Sequence, residues 1–281
     1  MRPIPCDDVA VTIDSGRRRF LQLGVGAAVV AAAGCSSGEG DTGPAGTEDE
    51  TGGDGDTSTT ADPGASDQGS GSAEGALTPA DFEGLATCRL LPEQMAGPFP
   101  LDEQFRRRDI TEGLPGHPLR LGLRAVDGAC VPIPDAEVEV WHADASGDYS
   151  AFEDGGGGKD EGPGTTFLRG TQVTDTDGIV ELRTIYPGWY RGRAVHIHVR
   201  VRVGGDLVLT SQMYFDDGYT AEVYAAGPYA EFGPPDTPLA ADGIGSAAAT
   251  EGTLLVTTPT TVDGANGTLA LLNLGVDRAA V

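Results

Sequence analysis

The sequence predicts an all-β fold, an antiparallel β-sandwich with long loops, and three observations predict it. Short runs alternate apolar and polar residues with period 2, and Gly, Pro and Asp clusters separate those runs. No segment longer than about ten residues carries a helical period. Residues 119–126 (LRLGLRAV) open the series, with Leu at every second position. Residues 136–142 (AEVEVWH) alternate Val with Glu. Residues 179–184, 194–203 and 206–213 repeat the pattern, and 254–258 and 269–276 close it. The Gly155–Gly158 run and the stretch 226–250 read as loops. No internal repeat is present.

The first third of the chain reads differently. Arg17, Arg18, Arg19, Phe20 and Leu21 form a twin-arginine signal, and the apolar stretch 23–33 is too short to span a bilayer. It runs into Ala32-Ala33-Gly34-Cys35, which resembles a lipoprotein cleavage box with Cys35 as the lipidated residue. An ordinary signal peptide with an incidental Cys is the alternative. From 36 to 80 there are ten acidic residues and no Lys or Arg. Such a segment cannot bury enough apolar surface to fold, so it reads as a self-repelling tether. The expected organisation is a signal over 1–35, a disordered tether over 36–76 and one folded domain over 77–281. It implies an exported lipoprotein, at the cell surface or in the periplasm, that meets the membrane only through its lipid.

Residues 81–281 hold 30 Asp/Glu against 14 Lys/Arg. That balance excludes a nucleic-acid partner, since phosphate binding needs a basic face. With Lys159 the only lysine, covalent chemistry on lysine is disfavoured. Cys6 leaves with the signal and Cys35 would be lipidated, which leaves Cys88 and Cys130. In an oxidising compartment a disulfide is the default expectation for such a pair, and metal ligation is the alternative.

Residues 195–203 read Val-His-Ile-His-Val-Arg-Val-Arg-Val, strict alternation that places His196 and His198 together on the face opposite the apolar residues. Their ring nitrogens can then converge on one point. The competing reading is a half-exposed strand whose polar face holds two His and two Arg. Upstream, Trp141-His142-Ala143-Asp144-Ala145-Ser146-Gly147-Asp148-Tyr149 places Tyr149 in a turn just after a strand. Tyr186-Pro187-Gly188-Trp189-Tyr190 places Tyr190 in the loop feeding the His-x-His strand. Arg193 lies three residues before His196, and Gln212 sits on the next strand in Ser211-Gln212-Met213-Tyr214-Phe215. A divalent-metal hydrolase built on the two His is a possible reading, but neither a Ser-His-Asp elbow nor a nearby Glu base accompanies them.

In the order W-H-x-D-x-x-G-x-Y, P-G-x-Y, R-x-x-H-x-H and Q-x-Y-F, these motifs resemble the intradiol ring-cleavage dioxygenases, and particularly the small secreted members of the protocatechuate 3,4-dioxygenase kind. The resemblance covers roughly residues 97–215. It implies a non-haem Fe(III) held by Tyr149, Tyr190, His196 and His198. It also implies a catechol-type substrate cleaved with O2 between its hydroxyl-bearing carbons, to a cis,cis-muconate-type diacid. Tyr190 would leave the metal and act as base, Arg193 would stabilise developing negative charge, and Gln212 would border the substrate and oxygen region. Phenolate is a hard anionic donor suited to ferric iron, whereas zinc more often recruits Cys, His or carboxylate. His117 and His142 stay outside this set. Gly97-Pro98-Phe99 departs from the Gly-Pro-Tyr of many members, which removes a hydroxyl from the pocket. Residues 131–138, 174–178 and 186–188 also resemble the prealbumin-like modules of surface proteins, so a binding or spacer module on the same prealbumin-like core is the alternative. The oligomeric state is not readable from the chain.

Overall fold

The computed structural model describes residues 75–85, 88–158 and 162–277. The expected signal with Cys35, the tether up to residue 74, and Lys159 lie outside the described residues. Eight strands are present among the described residues: β1 Pro118–Val126, β2 Glu137–Trp141, β3 Arg169–Val173, β4 Ile179–Ile185, β5 His196–Val203, β6 Asp206–Tyr214, β7 Val256–Val262 and β8 Ala265–Gly275. Helices are few and short: α1 Asp217–Tyr224, α2 Ala248–Glu251 and three 3₁₀ turns. The all-β expectation therefore holds for these residues.

The strands form two four-stranded sheets, ordered β4-β1-β8-β7 and β3-β2-β5-β6. Their alternation explains the core. Leu119, Leu121 and Leu123 of β1 and Ala270, Leu272 and Leu274 of β8 share one apolar cluster with Val138 and Val140 of β2 and with Ile197, Val199 and Val201 of β5. Each set occupies every second position, so each strand turns one face to that cluster. The sheets are not wholly antiparallel, however. β1 and β8 pair in parallel, Leu121 opposite Ala270. They are the first and last strands among the described residues, and no tight turn joins them to impose an antiparallel return.

Two elements escaped the sequence pattern. In β3, Gly170 occupies the core-facing position opposite Val140, because Ile110 already fills the space a Cβ would need. α1 starts immediately after β6, capped by the Asp216 side chain, which accepts from the Tyr219 amide. It buries Thr220, Val223 and Tyr224, one helical face too short to register as a period. β7 also sits later than expected and runs through Pro259. It lies at a sheet edge, where the missing N–H breaks no ladder. Asp263 and Gly264, both at positive φ, turn β7 into β8.

Within residues 88–110, a strap crosses the outward face of the second sheet. Gln94 N–H donates to the Thr210 carbonyl (2.8 Å) and Thr171 N–H to the Phe105 carbonyl (2.7 Å), on opposite edges of that sheet. A Cys88–Cys130 disulfide (Cα–Cα 5.0 Å) ties the start of the strap to the turn after β1, as the cysteine count anticipated. Alkylation of the denatured, unreduced protein followed by peptide mapping should find neither Cys88 nor Cys130 modified; alkylation at both of these positions would contradict the bridge. The pair closes a loop of 42 residues, so replacing both by Ala should lower stability by about 3–4 kcal/mol in urea unfolding.

Candidate metal centre

The register of the second sheet lines up one row of side chains on its outward face. Arg169 pairs with Trp141, Trp141 with His198, and His198 with Gln212. One step along, His196 pairs with Tyr214. Paired residues share a face, and this face is opposite the core. It is nevertheless dry, with His196 3% and His198 0% exposed. The half-exposed strand is thereby overturned: the strap and two loops bury what the alternation alone would leave wet.

The two loops carry the tyrosines and dock backbone to backbone. In the first, Asp144 Oδ1 accepts from the amides of Ser146 and Asp148 and folds the turn before Tyr149. Gly147, at φ +94°, lies where a Cβ would collide with the Trp189 carbonyl, and the Gly188 amide donates to the Asp144 carbonyl at 2.8 Å. Tyr149 N–H donates to the Gly155 carbonyl at 3.0 Å, and a Cβ on Gly155 would sit about as close as 2.6 Å to the Tyr149 backbone. The glycine run read as a plain loop thus backs the buried tyrosine. Phe99 of the strap stacks on Tyr149 at 4.7 Å, and Trp141 lies parallel to the His198 ring at 4.9 Å.

Tyr149, Tyr190, His196 and His198 come together. Tyr149 Oη lies 3.4 Å, Tyr190 Oη 3.2 Å and His198 Nε2 3.2 Å from His196 Nε2. His196 Nδ1 lies 2.7 Å from the Ala194 carbonyl. A carbonyl only accepts, so Nδ1 carries the proton and the Nε2 lone pair faces the cluster. His198 Nδ1 is buried without a hydrogen-bond partner. Donor atoms about 3 Å apart are what ligands show when each sits about 2 Å from one cation. Among the described residues no group of three or more His, Cys, Asp or Glu could hold a metal. Two phenols and two imidazoles fit a hard, highly charged cation such as ferric iron.

Burial sets the electrostatics. It raises the Tyr149 phenol well above its ordinary value and the Tyr190 phenol above it. It pushes His196 down to about 3 and His198 well below the usual imidazole range. The protein alone therefore keeps all four groups neutral, and only a cation among them would favour the phenolates. Arg193 stands at the rim: its Nη2 donates to Gln212 Oε1 (2.6 Å), its Nη1 lies 3.4 Å from Tyr190 Oη, and its Nε donates to Asp242 Oδ2 (2.9 Å). Burial is the largest influence and would lower the guanidinium, but the Asp242 bond and charge together with Tyr190 and Tyr214 outweigh it, and the net shift is upward.

All six residues singled out in the sequence, Tyr149, Tyr190, Arg193, His196, His198 and Gln212, meet here. His142 and His117 do not. His142 lies between the Ala143 carbonyl (2.8 Å) and Thr184 Oγ1 (2.7 Å), and His117 Nε2 lies 2.9 Å from Thr268 Oγ1. Three residues were missed. Tyr214, two positions after Gln212 on the same face, could have been found from period 2. Arg169 and Asp242 had no local signal.

A family model described as "Dioxygenase" matches residues 95–227. Of solved structures, an intradiol ring-cleavage dioxygenase from Tetranychus urticae is 31% identical over 68% of this chain and 95% of its own, with a TM-score of 0.61. The chlorocatechol 1,2-dioxygenase of Cupriavidus pinatubonensis is 32% identical over 114 residues, 34% of this chain and 41% of that protein. A catechol 1,2-dioxygenase of a Pseudomonas species is 30% identical over 158 residues, 48% of this chain and 50% of its own. The chain thus spans about half or less of the length of these last two relatives.

The buried imidazoles make the metal-free protein acid-sensitive. Unfolded His takes up protons near pH 6.5, whereas burial holds folded His142 to about 4 and His196 to about 3. Stability present at pH 7 is then lost as pH falls from 6.5 toward 4, by on the order of 2 kcal/mol per imidazole at pH 5. Urea midpoints for the metal-free chain should drop between pH 7 and pH 5; equal midpoints would refute the buried neutral state.

Proposed function

The chain belongs to the intradiol ring-cleavage dioxygenase family, and we propose that it cleaves a catechol-type aromatic between its two hydroxyl-bearing carbons, with a non-haem ferric ion held by Tyr149, Tyr190, His196 and His198. The observation that carries this reading is the convergence of both tyrosine hydroxyls and His198 Nε2 within 3.4 Å of His196 Nε2. Ferric iron would supply the Lewis acidity that favours a deprotonated catechol and makes it reactive toward O2.

The chain's own residues divide the remaining work. Tyr190 is the more exposed of the two tyrosines and sits on a loop, so as a phenolate it takes a proton from a substrate hydroxyl. Tyr149 is fully buried, stacked under Phe99 and backed by Gly155, and it stays in place. Arg193, beside Tyr190 Oη, stabilises the negative charge that develops on the substrate. Gln212 orients that guanidinium through Oε1 while its Nε2 donates to the Met95 carbonyl at 2.9 Å. Both atoms of O2 end in the product, a cis,cis-muconate-type diacid.

A spacer module on a prealbumin-like core is the weaker reading. It has no use for two phenol oxygens and two imidazole Nε2 atoms gathered at one point, with His198 Nδ1 buried and without a partner, and such groups are destabilising unless something satisfies them. In the favoured reading the two sheets form a prealbumin-like sandwich, residues 1–35 direct twin-arginine export, Cys35 carries the lipid, and 36–76 hold the domain off the membrane.

Visible spectroscopy and an oxygen electrode test the proposal on the iron-loaded full chain. A red-brown tyrosinate-to-iron band, moved to longer wavelength by catechol, should accompany uptake of one O2 per catechol. His198→Ala should abolish the band and lower turnover by more than about 100-fold, since even residues that only orient ligands cost 10–100-fold. A wild-type protein that stays colourless after iron loading would return the chain to the spacer reading.

A further inference from the structure

We propose that Asp242 is a positioning residue that holds both Arg193 and His196 in their working orientations; the inference rests on the ferric site proposed above. Asp242 belongs to the 226–250 stretch, 49 residues beyond Arg193, and is 1% exposed. Both of its carboxylate oxygens are filled, from two separate parts of the chain. Oδ1 accepts from the amides of Ile244 (2.8 Å) and Gly245 (2.7 Å), which fixes the carboxylate in its own turn. Oδ2 reaches across to Arg193 Nε (2.9 Å) and the Ala194 amide (2.8 Å).

Two consequences follow for the site. With Nε tied down, the planar guanidinium has one orientation left, and it directs Nη1 toward Tyr190 Oη (3.4 Å) and Nη2 to Gln212 Oε1 (2.6 Å). The carboxylate also supplies the counter-charge that a largely buried Arg193 needs. The second consequence runs through the Ala194 residue, which is held on both sides. Its N–H goes to Asp242 and its carbonyl takes His196 Nδ1–H at 2.7 Å. Asp242 therefore sets the carbonyl that sets the imidazole, one residue further out than the usual carboxylate–histidine arrangement at metal sites. A carboxylate needed only for its local turn would be satisfied by Ile244 and Gly245; the second oxygen is committed to the site.

The test is Asp242→Asn in the full chain, a change that keeps the shape but removes the charge and one acceptor oxygen. The expected result is a 10–100-fold fall in kcat with a smaller change in KM, and a 10–100-fold weaker affinity for ferric iron in chelator competition. Arg193→Gln separates positioning from general damage. In that background Asp242→Asn should add almost nothing to the loss in kcat but should still weaken iron binding, because that route runs through Ala194. Wild-type kcat and iron affinity in Asp242→Asn, or kcat losses that multiply in the double variant, would overturn the proposal. Should Asp242→Asn fail to fold, nitrogen-15 NMR of the metal-free wild type decides: one Arg Nε–H protected from exchange at neutral pH, and absent from Arg193→Gln, is expected, and its absence overturns the inference. A wild type that takes up no iron sinks the ferric reading itself; an active, iron-replete wild type with an unaltered Asp242→Asn sinks only the role of Asp242.

Discussion

A slip of one residue in the register of β5 against β2 and β6 would turn His196 and His198 into the apolar core and drive Ile197 and Val199 out among the tyrosines. That register is the constraint on which the rest of the structure depends. It is held from the core side by Ile197, Val199 and Val201, which join the largest apolar cluster. The same alternation that buries these residues presents Trp141, His198 and Gln212 as one row on the opposite face. Apolar burial on one side of a strand thus aims the polar chemistry on the other.

Aiming is not enough, because an uncovered row of histidines would be solvated and free to titrate. The strap from the disulfide at Cys88 to Ile110 closes over the row, and the Tyr149 and Tyr190 loops close over its end. Both covers rely on backbone approach. Gly97 lies where a Cβ would come within 3.0 Å of the His198 ring, and Gly147 lies against the Trp189 carbonyl. Burial then keeps the two imidazoles neutral.

The charge at the rim obeys the same logic. Arg193 is mostly buried, and a guanidinium there is tolerable only with a counter-charge, which Asp242 provides. Arg169, buried in the same row, is satisfied differently. Among the described residues no carboxylate lies at hydrogen-bonding distance from it, and it donates to Ser150 Oγ, the Ser150 carbonyl and the Phe99 carbonyl. One arginine is held by a carboxylate beside the cluster, and the other stitches the Tyr149 loop to the strap.

Much of this was legible in the chain. Period-2 alternation in LRLGLRAV and HIHVRVRV specifies strands, their faces, and the pairing of His196 with His198, because side-chain direction in a strand is a local property. The spacing of Tyr149, Tyr190, Arg193 and Gln212 around those strands carried the family resemblance and the candidate ligands. What the chain could not show is whatever depends on contacts between distant segments. β3 lacks alternation because Ile110, far from it in sequence, fills its core position. The parallel pairing of β1 with β8 joins strands about 150 residues apart in sequence, which no local pattern records. Asp242 is one acidic residue among many in an acidic chain until folding brings it to Arg193 and Ala194. Local sequence determined which groups could face the site; only the tertiary structure decided which were buried, which were paired and which loop completed it, since burial and charge compensation are properties of the packed chain.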